Sequence, residues 1–292
     1  MNPLPTSVAL AILLAGQSPA IPIPDNVEGR NDVVYCRGGA RDLKLDVFVP
    51  KARGARPAPG VVFIHGGGWR GGTRRQFHPQ AAHLTSTLGY VTATIEYRLS
   101  GEARFPAAVE DSKCAVRWLR ANAATLGVDP NRIASAGGSA GAHLAAMLGV
   151  TDRAAGLDGN GGHHDFSSRV NAVVAFNGAF DLTAAKGEGA AAAITAFLGA
   201  APAERPDLYT KASPISYVSS EAAPFLFLHG TADTTLSIEQ SRRMLRKLHH
   251  AGVSAEIFET DGAAHGFFNR PPHYETTLRQ VVAFLKQRFD GR

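Results

Sequence analysis

Residues 132–149 constrain the fold more than any other stretch, because a short apolar run, a glycine-rich turn and a helix-favouring run follow one another without a break. Arg132-Ile133-Ala134 is short and apolar enough for a buried strand, and Ala142 to Gly149 favours helix. Between them stands Gly137-x-Ser139-x-Gly141. A strand that turns this sharply into a helix puts the middle residue at strained dihedrals and pushes its side chain out at the sheet's edge. Bulk at the flanking positions would collide with the crowded backbone, so glycine is needed on both sides. The Ser139 hydroxyl would then project over a helix N-terminus, where free N–H groups favour negative charge. A chain with 31 glycines produces such a pattern by chance as well, and a glycine-rich turn with no chemistry is the competing reading.

The rest of the chain supplies the sheet this turn needs. Val61 to Ile64, Tyr90 to Tyr97, Val170 to Phe176, Pro224 to Leu228 and Ala255 to Phe258 read as strands, several of them continuous apolar runs. Helical patterns fall between them, at about 76–88, 106–122 and 238–251, and a last helix carries Leu278, Val281, Val282, Leu285 and Phe289. Strands covered on both faces and alternating with helices predict an α/β fold with a mostly parallel sheet. Ahead of it, Val33 to Cys36 and Leu43 to Val49 read as an antiparallel pair, the second half-exposed with Leu43, Leu45, Val47 and Val49 on its inner face. No repeat or long linker divides residues 21–292, which are expected to form one domain. The excursion at 182–222, with an Ala-rich helix and a Pro-rich tail, comes late enough to build a lid or a substrate wall.

In an open parallel sheet, functional residues gather at the carboxyl ends of strands. His65, Ser139, Asp233 and His265 each follow an expected strand directly. Serine is a weak nucleophile until a base takes its proton, and His265 can do so. The imidazolium that forms needs a carboxylate at its far nitrogen, and Asp233 ends the preceding strand. Asp181, Asp207 and Asp261 remain alternatives for the acid. Asp261 is too near His265 in sequence to reach around the ring, and Asp181 sits one strand earlier. His143 and His229 read as structural histidines. His65-Gly66-Gly67-Gly68-Trp69 places three glycines after a buried strand, so the N–H groups of Gly67 and Gly68, with that of Ala140, are candidates to receive an oxyanion. His65, Trp69 and Phe267 are candidate substrate-binding residues. His163-His164-Asp165 matches no standard metal spacing, so no metal is expected.

Together these motifs resemble the hormone-sensitive-lipase-like esterases of the α/β-hydrolase fold, and more narrowly the small bacterial carbohydrate-ester and feruloyl-esterase-like group. The carriers are the stretches from His65 to Trp69, Glu96 to Leu99, Phe105 to Asp111, Asp129 to Ile133, Gly137 to Ala145, His229 to Asp233 and His265 to Phe267. The resemblance implies hydrolysis of carboxylic esters through an acyl-enzyme, without a cofactor. It implies Ser139, Asp233 and His265 as the triad, and Gly67, Gly68 and Ala140 as the oxyanion hole. Short-chain acyl, acetyl or feruloyl esters, free or linked to polysaccharide, are the expected substrates. About 12 residues separate position 20 from the first strand, which leaves no room for the helical cap of larger members. After Asp233 the chain continues Thr234-Thr235-Leu236-Ser237, where the family usually runs toward a Val-Pro pair. A non-catalytic binder on the same fold, a serine peptidase and a lid-gated lipase are the competing functions.

Residues 1–20 read as a secretory signal, with an apolar run from Ser7 to Ala15 and small residues at Ser18-Pro19-Ala20, although the n-region has no Lys or Arg. This predicts a secreted or periplasmic protein. No later segment is apolar enough to span a membrane. The net charge of +5 is scattered, and no basic stripe interleaved with aromatics suggests nucleic acid. Cys36 and Cys114 either pair or stay as buried thiols, and neither sits beside a base. Oligomeric state is not encoded legibly.

Overall fold

Val61-Val62-Phe63-Ile64 lies near the middle of an eight-stranded sheet in a computed structural model that describes residues 23–185 and 188–291. The leader expected at 1–20 lies outside the described residues. The strands are β1 (Val27–Gly38), β2 (Arg41–Pro50), β3 (Ala58–Ile64), β4 (Val91–Ile95), β5 (Val128–Gly138), β6 (Ala172–Phe176), β7 (Phe225–Gly230) and β8 (Ala255–Thr260). The helices are α1 (His78–Leu88), α2 (Ala107–Ala121), α3 (Ala123–Leu126), α4 (Ala140–Val150), α5 (Glu188–Leu198), α6 (Pro206–Lys211), α7 (Glu239–His250) and α8 (His273–Phe289). Short 3-10 turns fill several of the connections.

The strand order is β1-β2-β4-β3-β5-β6-β7-β8. Among these strands β2 alone runs against the rest, pairing antiparallel with both β1 and β4. The remaining pairings, from β4 through β3 to β8, are parallel. This is the α/β-hydrolase arrangement. No described helix is long and apolar enough to cross a membrane.

Alternation along β3 divides the interior in two. Val62 and Ile64 join the apolar layer shared with α2, α4, α5 and α7. Val61 and Phe63 join the opposite layer, with Ala81 and Leu84 of α1 and Val281, Phe284 and Leu285 of α8. A strand covered on both faces has no reason to alternate in polarity, which is why β3 reads as an unbroken apolar run.

β2 departs from the half-exposed strand expected of it. Asp46 and Phe48, on the face expected to meet water, are buried, because the turn before α1 and α1 itself cover them. His78 Nε2 and Arg74 Nε each lie 2.9 Å from Asp46 Oδ2, so this buried carboxylate is paired locally. Cys36 on β1 and Cys114 on α2 are joined as a disulfide, which ties the antiparallel edge to the helical layer.

Candidate active site

β5 ends at Gly138 and α4 begins at Ala140, so Ser139 stands alone at the corner. Its dihedrals are φ 55° and ψ −119°, a sparsely populated region for a residue with a side chain. The corner is docked by Ser139 N–H on the Phe176 carbonyl at 2.8 Å. Close packing explains the flanking glycines. A Cβ on Gly141 would stand 2.0 Å from the Ile64 carbonyl oxygen, and one on Gly137 would stand 2.3 Å from the Gly141 carbonyl oxygen. Glycine here lets the β3 end and the α4 start approach backbone to backbone.

His265 lies in the loop between β8 and α8, half-buried. Its Nε2 is 3.0 Å from Ser139 Oγ and its Nδ1 is 2.7 Å from Asp233 Oδ2. Asp233, just past β7, is buried and accepts the N–H groups of Thr235 and Leu236 on Oδ1, each at 2.9 Å. Burial by itself would raise the Asp233 carboxyl. Hydrogen bonds from His229, His265 and the Leu236 amide outweigh it and hold the group well below the usual carboxylate range. The three side chains form one continuous chain of hydrogen bonds from a hydroxyl to a fixed negative charge. Such a chain can draw a proton from the hydroxyl and stabilise the resulting imidazolium.

The other candidate acids are occupied elsewhere. Asp181 accepts from Thr183 and pairs with Arg243 at 2.7 Å. Asp207 pairs with Arg205 on the surface, and Asp261 accepts from Thr231.

The loop after β3 packs against this corner. A Cβ on Gly66 would meet the Gly138 carbonyl at 2.7 Å, and Gly67 and Gly68 turn away through φ values of 117° and 61°. Gly67, Gly68 and Ala140 line the same cleft as Ser139. Among the described residues their N–H groups have no protein acceptor. These donors are therefore free to receive an anion beside the hydroxyl.

The cleft has a volume of about 380 Å³, with Ala190, Ala193 and Ile194 of α5 on one wall and Phe268 and Leu236 on another. Among the described residues, α5 is the part of the 182–222 excursion that reaches the cleft. Phe197 anchors it by stacking on Trp69 with ring centroids 4.6 Å apart. Trp69 lines the cleft floor, although it is largely buried.

Two expected substrate-binding residues are placed otherwise. His65 is buried outside the cleft, stacked on Tyr97 at 4.3 Å, with Nδ1 2.8 Å from the Gly66 carbonyl, so it shapes the loop. Phe267 is turned into the α8 layer against His273, and its neighbour Phe268 faces the cleft. The 3-10 turn at Phe267–Asn269 rotates successive side chains apart, so the two adjacent rings face different surroundings.

Asn177 escaped the sequence reading. It follows β6 directly, has φ 39°, and its Nδ2 lies 2.9 and 3.2 Å from the two ring nitrogens of His265. Its position just beyond a buried strand was the available signal. His143 and His229 are buried and hydrogen-bonded, as structural histidines should be. His143 accepts from Trp69 Nε1 at 3.3 Å and contacts the Ala212 carbonyl at 2.8 Å. His229 contacts Ser241 Oγ and the Leu236 carbonyl, each at 2.8 Å. His163 Nε2 lies 3.2 Å from the Tyr35 carbonyl, a role in loop packing.

The BD-FAE family model matches residues 45–248. Esterase LipQ of Mycobacterium tuberculosis is 35% identical over 81% of this chain and 57% of its own length. Esterase LipC of the same organism is 34% identical over 76% of this chain and 56% of its own length. The chain therefore spans just over half the length of these curated relatives. Among solved structures, a propionate-bound thermophilic esterase from Thermogutta terrifontis superposes with a TM-score of 0.75 and 32% identity, covering 90% of this chain and 94% of that one.

Proposed function

The chain belongs to the BD-FAE family of α/β-hydrolases, and from that membership we propose that it is a serine carboxylesterase acting on short-chain acyl, acetyl or feruloyl esters. The observation that carries this reading is the hydrogen-bonded chain from Ser139 Oγ through His265 to Asp233, at 3.0 and 2.7 Å.

In this mechanism Ser139 Oγ attacks the ester carbonyl carbon while His265 Nε2 takes the hydroxyl proton. The carbonyl electron pair moves to oxygen, and the resulting oxyanion is received by the N–H groups of Gly67, Gly68 and Ala140. His265 then gives its proton to the departing alkoxide, which leaves as an alcohol, and an acyl-Ser139 ester remains. Water enters, gives a proton to His265 and attacks the acyl carbon. Collapse returns the proton to Ser139 and releases the acid. Asp233 stays ionised throughout and holds the imidazole in the tautomer that offers Nε2 to serine.

A cleft of about 380 Å³ lies at the small end of ligand pockets, which supports a small ester. The propionate and butyrate bound in structural neighbours support the same size range. The leader pattern at 1–20 and the Cys36–Cys114 disulfide support export, which N-terminal sequencing of the protein recovered outside the cytoplasm would test.

The activity is tested by hydrolysis of 4-nitrophenyl acetate, butyrate and palmitate, methyl ferulate and acetylated xylan by wild type and Ser139→Ala. Turnover of the short or feruloyl esters, lost in the variant, is expected. A folded protein inert toward every member, or a variant as active as wild type, would overturn the reading.

A further inference from the structure

The polar groups that line the cleft beyond the hydrogen-bonded chain are unevenly distributed. Arg70 is exposed and turns back over the glycine loop, its Nε 4.0 Å from where a Gly68 Cβ would stand. Its backbone N–H is held on the Gly67 carbonyl at 3.1 Å, so the guanidinium starts from a fixed point beside the free N–H groups. Gln76 lines the same side. Its Oε1 is occupied by the Gly66 N–H at 2.6 Å, which leaves its amide NH2 as a donor.

Charge sharpens the asymmetry. Arg74 nearby is paired with Asp46 and Glu96, and Arg41 with Glu96 and Glu102. Arg70 pairs with no described carboxylate. Among the residues whose side chains are described, no carboxylate lines the cleft, and Asp233 stands behind His265 with its side chain fully buried. A guanidinium and an amide donor that line one cleft, neither with a partner among the described side-chain carboxylates, match a planar anion.

We infer that Arg70 determines specificity by binding a carboxylate carried on the ester substrate, so that esters bearing an acid group are preferred over neutral ones of the same size. This deepens the esterase reading and rests on it. The carboxylate can belong to the acyl half, as in a dicarboxylic acid hemiester, or to the alcohol half, as in an acid-bearing phenol or sugar.

The test compares kcat/KM for matched pairs, corrected for spontaneous hydrolysis. The acyl arm sets 4-nitrophenyl hemiadipate against 4-nitrophenyl hexanoate, and the alcohol arm sets 4-acetoxybenzoate against 4-acetoxybenzamide. Each pair yields a charged-to-neutral ratio, measured in wild type, Arg70→Gln and Arg70→Lys. In at least one arm the ratio is expected to fall roughly five- to tenfold in Arg70→Gln, to recover partly in Arg70→Lys, and to decline with added salt in wild type. Ratios equal in wild type and Arg70→Gln in both arms, or insensitive to salt, would overturn the inference. Failure of the esterase reading looks different, because wild type would then leave the neutral esters intact.

Discussion

Asp233 Oδ2 is shared by two histidines: His265 Nδ1 lies 2.7 Å from it and His229 Nε2 lies 3.3 Å from it. His229 is fully buried and is held by Ser241 and the Leu236 carbonyl, so it fixes the carboxylate from behind. His229→Leu should therefore lower kcat by about tenfold with little change in KM, because the acid loses its orientation and not its charge. Asp233→Asn should reduce kcat by on the order of ten-thousandfold, the scale seen when a triad acid is neutralised. Steady-state kinetics on a short 4-nitrophenyl ester distinguishes the two. Equal losses would mean that His229 carries more than orientation.

Asn177 packs against the His265 ring. Both ring nitrogens already serve Asp233 and Ser139, so a carboxamide 2.9 and 3.2 Å from them cannot bond in the ring plane and lies on its face. That contact limits the tilt of the imidazole. Asn177→Ala should reduce kcat by about tenfold while KM and thermal stability change little. A variant with unchanged kcat would remove Asn177 from the positioning of the base.

Gly67 tests the backbone donors, which no side-chain deletion reaches. At φ 117° an added methyl would meet the Gly71 carbonyl oxygen at 2.2 Å, so the loop must shift. Loss of one donor to a developing oxyanion costs about 3 kcal/mol. Gly67→Ala should therefore lower kcat by on the order of a hundredfold in a protein that still folds. Retention of wild-type kcat would move the oxyanion contact elsewhere.

Acid should destabilise the fold through His143. Burial pushes its imidazole down to about 4, only partly offset by the Ala212 carbonyl. In the unfolded chain a histidine titrates near about 6.5, so below that pH the unfolded state takes up a proton that the native state refuses. The stability is intact above about 6.5 and is lost as pH falls toward the folded value, by about 3 kcal/mol in all. Urea unfolding at pH 7.5 and 4.5 should show this loss in wild type and a smaller one in His143→Gln. Identical losses in both would exclude His143 as the cause.

The Cys36–Cys114 disulfide joins residues 78 apart in sequence. Closing a loop of that length in the unfolded chain is worth about 4.5 kcal/mol in the chain-entropy model. Cys36→Ala with Cys114→Ala should lower the unfolding free energy by that order and leave Ser139 chemistry intact. A loss below about 1 kcal/mol would mean that the apolar packing around α2 holds this edge unaided.

Legibility followed the physics of each element. β3 and β6 could be read because burial on both faces removes every polar residue from a strand. The turn at Ser139 could be read because backbone crowding excludes every residue but glycine at positions 137 and 141. The outward face of β2 was misread, since whether Phe48 meets water depends on α1, which arrives about thirty residues later. Phe267 and Phe268 could not be told apart, because a one-residue rotation in a 3-10 turn decides which ring faces the cleft. Asn177 has no motif of its own, and its contact with His265 bridges 88 residues of sequence.

The sequence by itself determined the α/β architecture, the strained serine corner and the strand ends at which Asp233 and His265 stand, because these depend on local backbone sterics and the periodicity of burial. Tertiary structure alone decided that Asp233, and not Asp181, meets His265, that Asn177 covers the ring, that Cys36 reaches Cys114, and that α5 walls the cleft. Those outcomes depend on how far each strand advances before it turns and how the layers pack across the sheet. Such distances are set by contacts among residues dozens of positions apart, and no local pattern carries them.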